Sequence, residues 1–199
     1  FQLRLKRYSV IKKILIGKKI KELCQAKKVK FFQLRLKNES IKKKVIIAKK
    51  ILKICKKNKV IFIINDNPHL AIKVNADGCH LGQKDMNILK AKKILNNKII
   101  GVTCHNSVKL AKKAQINGAN YIALGAFYKT RTKKVIYKAK IKTLKKIKKS
   151  INLPVVAIGG INEKNYKSLL LNKADFLAIS SYIWNNKKLK PYQAIKNLK

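Results

Sequence analysis

The chain has 199 residues, with 50 Lys+Arg against 7 Asp+Glu, a formal net charge of +43, and 47% hydrophobic content. This length suffices for one well-buried core, so residues 1–199 read as a single domain. No apolar run approaches the roughly 20 residues of a membrane span, and the opening FQLRLK is not an apolar signal core, so no membrane or export role is expected.

The charge invites a polyanion-binding reading. Only Arg4, Arg7, Arg35 and Arg131 are arginines, however, and the lysines spread over nearly every helix-like segment. Arginine is the usual reader of bases, and Lys, Ile and Asn in excess together are what an AT-rich coding sequence yields. A solvated lysine surface is therefore favoured over a specific nucleic-acid partner. Cys24, Cys55, Cys79 and Cys104 form no C-x-x-C pair and sit in or beside apolar runs, as buried thiols of a reducing compartment do; the expected location is cytoplasmic. The chain does not begin with Met, which leaves its true N-terminus open.

In chain order, residues 1–31 and 32–62 align without a gap, FQLRLK opening both copies and Ser9, Ile20 and Cys24 matching Ser40, Ile51 and Cys55. A period of 31 residues is one strand–helix unit, so the first βα unit reads as a duplicate of the second. Strand-like runs follow at 60–64, 79–81, 98–103, 121–125, 154–158 and 176–179. Helical periodicity lies between them at 88–95, 107–116, 138–149 and 163–171, with a last segment at 191–198. Turns of small residues precede three strands, at 75–78, 117–120 and 172–175, which makes Asp77 and Asp175 turn residues. Eight βα units with near-continuous apolar strands predict an α/β fold of parallel strands closed as a (β/α)8 TIM barrel. The open doubly wound alternative lacks a G-x-G-x-x-G after its first strand.

In such a barrel the chemistry sits where strands end. The second strand is expected to carry Gln33, Arg35 and Lys37 on one face. Asn65 and Asp66 end the third, Asp85 follows the fourth, and Thr103 and His105 end the fifth. Two carboxylates at neighbouring strand ends suit Mg²⁺; equally, Asp66 and Asp85 suit the N-caps of the following helices. After the sixth strand, Thr130, Arg131, Thr132 and Lys133 form a loop of hydroxyls and cations, and Gly159-Gly160 and Ile179-Ser180 end the last two. Glycine after strand seven and a hydroxyl after strand eight match the frequent phosphate site of barrels.

The segments QLRLK at 33–37, IIND at 63–66, ADGCHLGQKDM at 76–86, IIGVTCH at 99–105, TRTK at 130–133, VVAIGGIN at 155–162 and AIS at 178–180 resemble thiamine phosphate synthase, in order from about Lys30 onward. The resemblance implies a Mg²⁺-dependent transferase of thiamine biosynthesis. Such an enzyme condenses 4-amino-2-methyl-5-(diphosphooxymethyl)pyrimidine with a thiazole phosphate, giving thiamine phosphate and pyrophosphate by dissociative displacement. Carried over by position, Gln33, Arg35, Lys37, Asn65, Thr103 and Lys133 would bind the pyrimidine diphosphate. Asp66 and Asp85 would hold the metal, and Thr130, Arg131, Thr132, Gly160, Ile179 and Ser180 the thiazole phosphate. Its partners are then small phosphorylated substrates, with an oligomer possible. The chain departs from the family in three places. Leu36 stands where a glutamate is common, Thr103 replaces a usual serine, and a copy of the second unit replaces the usual first, bringing Arg4 and Lys6 with it. Two alternatives remain: a thiazole tautomerase on the same barrel, needing an acid/base histidine and no metal pair, and a non-catalytic polyanion-binding barrel.

Overall fold

In the computed structural model, which describes residues 2–5 (backbone only), 29–130 and 137–198, eight parallel strands follow one another around a closed barrel. They are β1 (Gln2–Leu5), β2 (Phe31–Leu34), β3 (Ile61–Asn65), β4 (Gly78–Leu81), β5 (Ile99–His105), β6 (Tyr121–Gly125), β7 (Val155–Ile158) and β8 (Phe176–Ile179). The described helices are α1 (Ile41–Lys57), α2 (Pro68–Lys73), α3 (Ile88–Leu95), α4 (Val108–Ile116), α5 (Ile141–Ser150), α6 (Tyr166–Leu171), α7 (Ser181–Trp184) and α8 (Pro191–Lys196). None of them is long and apolar enough to cross a membrane. The TIM-barrel expectation holds.

Closure runs through the N-terminal repeat. β1 pairs with β2 from Gln2↔Phe31 to Leu5↔Leu34 and with β8 at Gln2↔Ala178 and Leu3↔Ile179. Leu3 stands opposite Phe32 although its repeat twin is Leu34, so the copies are offset by two residues along the sheet, in the sense of the stagger a tilted barrel needs. The backbone of Arg4 lies opposite Gln33, whereas Lys6 falls outside the described residues.

Strand alternation sorts the apolar side chains into two layers. Phe32, Leu34, Phe62, Ile64, Cys79, Ile100, Ile122, Val155 and Leu177 face outward and pack with helix residues such as Ala48, Ala91, Ala111 and Leu144. Tyr121, Ala123, Val156 and Ala178 face inward with Ile99, Ile158 and Phe176 and fill the lower barrel. Burial on both faces explains why the strands read as apolar runs without alternation.

Several sequence expectations shift. β2 ends at Leu34, so Arg35 and Lys37 lie in the loop beyond it and not on the strand. The short helices α2 and α7 had no legible periodicity, being 6 and 4 residues long. The capping alternative for the aspartates fails, because Asn67 Oδ1 accepts from Leu70 N–H at 2.9 Å and Asn87 Oδ1 from Leu89 N–H at 2.9 Å. The N-caps are these asparagines, which leaves Asp66 and Asp85 for other partners.

At the lower end, the three small-residue turns share one device. Asp77, Asn120 and Asp175 each donate a backbone N–H to the carbonyl of Phe62, Ile100 and Val155 respectively. Each side chain then accepts the N–H of that same strand residue, at 2.7, 2.8 and 2.7 Å. A buried alanine (Ala76, Ala119, Ala174) precedes each one and lets the turn sit against the core.

Candidate active site

The upper rim gathers the amides and acids from β2 and β3. Gln33 and Asn65 point into the barrel, 2% and 7% exposed, where an unbonded amide would be costly. Gln33 Nε2 donates to Asn65 Oδ1, and Asn65 Nδ2 donates to Asp66 Oδ1. Arg35 Nε donates to the other oxygen, Asp66 Oδ2, at 3.2 Å. Asp66 takes a left-handed backbone (φ 69°), which Asp tolerates better than most residues, with its N–H on the His80 carbonyl at 2.8 Å. One chain of hydrogen bonds thus links a recognition pair (Gln33, Asn65) to a charge pair (Asp66, Arg35). Arg35, Leu36, Lys37, Asn65 and Asp66 line a cleft of about 240 Å³, on whose floor Leu36 packs against the core.

Asp85 follows β4. Its Oδ2 accepts Gly82 N–H at 2.6 Å, and its own N–H returns to the Gly82 carbonyl, which fixes the carboxylate over the strand end. Burial pushes the Cys79 thiol up from its ordinary 9.0 to about 12, and the carboxylates of Asp66 and Asp85 both add to that rise. Among the described residues, no three His, Cys, Asp or Glu side chains cluster as a metal-ligand set. A hard cation held here would rest on two carboxylates and complete its shell with water and phosphate oxygens, a donor set that fits Mg²⁺ and not zinc.

Inside the barrel, His80 (4% exposed) has both ring nitrogens engaged: Nδ1 lies 2.9 Å from the Tyr121 hydroxyl and Nε2 2.8 Å from Thr103 Oγ1. Gln83 Nε2 holds the Thr103 carbonyl from above. Of the other histidines, His105 (φ 52°) stacks on Tyr137 at 4.4 Å, and His69 is exposed on α2.

The β6 and β7 ends are laced together. Phe127 N–H donates to the Ile158 carbonyl and Tyr128 N–H to that of Gly159, both at 3.1 Å. Ala126 receives the returning chain: its N–H donates to the Tyr137 carbonyl at 3.2 Å and its carbonyl accepts Ala139 N–H at 2.8 Å. The loop between leaves and re-enters beside Gly159-Gly160, with Thr130 on its outgoing arm. Arg131, Thr132 and Lys133 lie outside the described residues. Gly160 has φ 68°, and a Cβ there would meet Tyr128 Cβ at 2.7 Å, so glycine lets this rim come close to the loop. Its carbonyl accepts Asn165 Nδ2 at 3.0 Å. The Ile179 side chain packs in the outer apolar layer, so what it offers the upper face is main chain; Ser180 follows at the N-terminus of α7.

Among the described residues, every site residue named from the sequence lies within the last three residues of a strand or beyond its C-terminal end. Sequence reasoning gave His80 a structural or supporting role and assigned none to Tyr121, Gln83 or Asn165. The first two were legible as inward positions on β4 and β6, but only the barrel register shows that they meet.

A family model described as thiamine monophosphate synthase matches residues 2–183. The chain is 67% identical to a thiamine-phosphate synthase of Pelagibacter ubique over 199 residues, all of this chain and 81% of that protein. It is 43% identical to one from Clostridium acetobutylicum over 129 residues, 64% of this chain and 61% of that protein. Among solved structures, a thiamine phosphate pyrophosphorylase from Pyrococcus furiosus matches with a TM-score of 0.84 and 28% identity, over 99% of this chain and 91% of that one. A 3-hexulose-6-phosphate synthase from Salmonella typhimurium, at TM-score 0.71 and 14% identity, shares the fold alone.

Proposed function

Since the chain belongs to the thiamine monophosphate synthase family and is by that membership a transferase that forms thiamine phosphate, we propose that it joins 4-amino-2-methyl-5-(diphosphooxymethyl)pyrimidine to a thiazole phosphate with release of pyrophosphate. The observation that carries this reading is the Gln33–Asn65–Asp66–Arg35 chain at the ends of β2 and β3. Amides that both donate and accept suit the aminopyrimidine edge, and Arg35 with Lys37 suits the diphosphate beside it.

In the proposed displacement the carbon–oxygen bond to the diphosphate breaks with its electron pair, and the thiazole nitrogen lone pair closes the carbon–nitrogen bond. No proton moves in that exchange, so the residues need to neutralise a leaving group and aim an acceptor. Arg35, Lys37 and Lys133 take the departing charge, and Thr103 adds a hydroxyl. Thr130, Arg131, Thr132, the Gly160 and Ile179 main chain and Ser180 anchor the thiazole phosphate opposite. Asp66 and Asp85 would hold Mg²⁺, which when bound supplies positive charge to the leaving pyrophosphate. His80, engaged at both ring nitrogens, supports displacement over the proton shuffling of a tautomerase.

The test is pyrophosphate release from the two purified substrates with Mg²⁺. Turnover that requires both substrates supports the reading. A folded protein that releases none, or that only isomerises the thiazole phosphate, overturns it.

A further inference from the structure

Three residues of one barrel layer make an arrangement that the displacement itself does not call for. His80 stands opposite Gly101 on β5, and Gly101 stands opposite Tyr121 on β6. With any side chain at Gly101 the two rings would be held apart, since a Cβ there would run into the Tyr121 ring. Glycine opens the gap, and the rings stack across it with centroids 5.5 Å apart and 30° between planes. The next inward position above Gly101 is Thr103, whose Oγ1 receives the far side of the imidazole.

A neutral imidazole has one donor and one acceptor nitrogen, so the two contacts have opposite polarity. Diphosphate oxygens only accept, so a Thr103 hydroxyl that binds them donates its proton to them. It must then take its other hydrogen bond as an acceptor, from His80 Nε2–H. That leaves Nδ1 without a proton, facing a Tyr121 O–H that can donate to it. We infer that Tyr121 and His80 are positioning residues: Tyr121 O–H selects the Nε2–H tautomer of His80, which holds the Thr103 hydroxyl with its proton aimed at the diphosphate of the pyrimidine substrate. The orientation is built before substrate arrives, so Thr103 needs no reorganisation on binding.

This inference rests on the proposed reaction, and the experiment separates the two. If the wild-type protein releases no pyrophosphate, the reaction fails on its own. Imidazole ¹⁵N chemical shifts of His80 in the free protein test the relay without turnover: a protonated Nε2 is expected, and a protonated Nδ1 overturns the inference. In kinetics, Tyr121→Phe should lower kcat/KM for the pyrimidine diphosphate by about fivefold, the scale of one hydrogen bond, while KM for the thiazole phosphate stays constant. His80→Leu should lose more, and His80→Gln, whose amide both accepts and donates, should recover part of the loss. In a Thr103→Val background the Tyr121→Phe effect should vanish, because the relay then ends on no hydroxyl. Equal changes for both substrates, or a Tyr121→Phe effect that persists in Thr103→Val, would reduce the network to core packing and overturn the role.

Discussion

The two rims of the barrel use the same residue types in opposite ways. Along the lower rim Asp77, Asn120 and Asp175 repeat one geometry before β4, β6 and β8, each side chain accepting the N–H of the strand residue whose carbonyl takes its own backbone N–H. Along the upper rim no two acids are alike. Asp66 is bound by an arginine and an amide side chain, and Asp85 by the turn that precedes it. A chain with 7 Asp+Glu commits two aspartates to closing backbone and two to a polar cluster. Repetition marks the acids that hold shape, because the barrel repeats; singular environments mark those a ligand could use.

Substitution at the upper rim should remove chemistry and leave the fold. Asp66→Asn keeps the shape of the side chain but loses the charge facing Arg35 and the proposed cation. Pyrophosphate release should fall by about 10² to 10³, the scale of a lost charge-stabilising group, while the thermal midpoint barely moves. Titration with Mn²⁺ should show weakened binding in the same variant. A variant that turns over normally would remove the functional half of the contrast.

Gly160→Ala is the next effect in size. At φ 68° an alanine is strained, and its Cβ would press on Tyr128, whose Cβ lies at 2.7 Å and carbonyl carbon at 2.8 Å. The expected result is a loss of about 1–3 kcal/mol, together with a KM for the thiazole phosphate raised more than that for the pyrimidine diphosphate. Equal KM values would separate Gly160 from the phosphate site. This position also shows what the sequence could convey. Gly159-Gly160 after an apolar run announces a tight turn, and eight such units announce the barrel. The approach of the β6 loop that makes glycine necessary is a contact between distant segments, and no local pattern encodes it. The same holds for Asn67 and Asn87. Their N-capping was readable in principle, but Asp66 and Asp85 sit beside them and cap equally well on residue type, so only geometry decides.

The lower rim offers the converse experiment. Asp175 accepts Val155 N–H and also receives Lys148 Nζ at 2.7 Å, a pair with side-chain exposures of 23% and 36%, where solvent leaves the ion pair little net worth. Asp175→Ala should therefore destabilise mainly through the stranded Val155 amide, by about 1–2 kcal/mol, measured by denaturant unfolding. Lys148→Ala should do far less. Turnover of Asp175→Ala at a permissive temperature should match the parent, and a selective loss of activity would break the assignment of this rim to structure.

The smallest effect belongs to the layer between the rims. Burial pushes both the Cys79 and Cys104 thiols up to about 12 from an ordinary 9.0. For an acid whose folded pKa lies above its unfolded one, the unfolded chain releases its proton first. Stability is thus complete below pH 9 and declines as pH rises toward 12, by at most about 1.4 kcal/mol per unit for each thiol. Below pH 9 both thiols stay protonated in the fold, so alkylating reagents should reach them only at the rate of opening. Cys79→Ser and Cys104→Ser, compared between pH 8 and pH 10 by denaturant unfolding, should each flatten the alkaline decline. Asp66→Asn should lower the Cys79 thiol slightly, because a neighbouring negative charge is gone, and so shrink the alkaline decline that Cys79→Ser removes. An alkaline decline indifferent to Asp66→Asn would remove that carboxylate from the causes of the Cys79 rise.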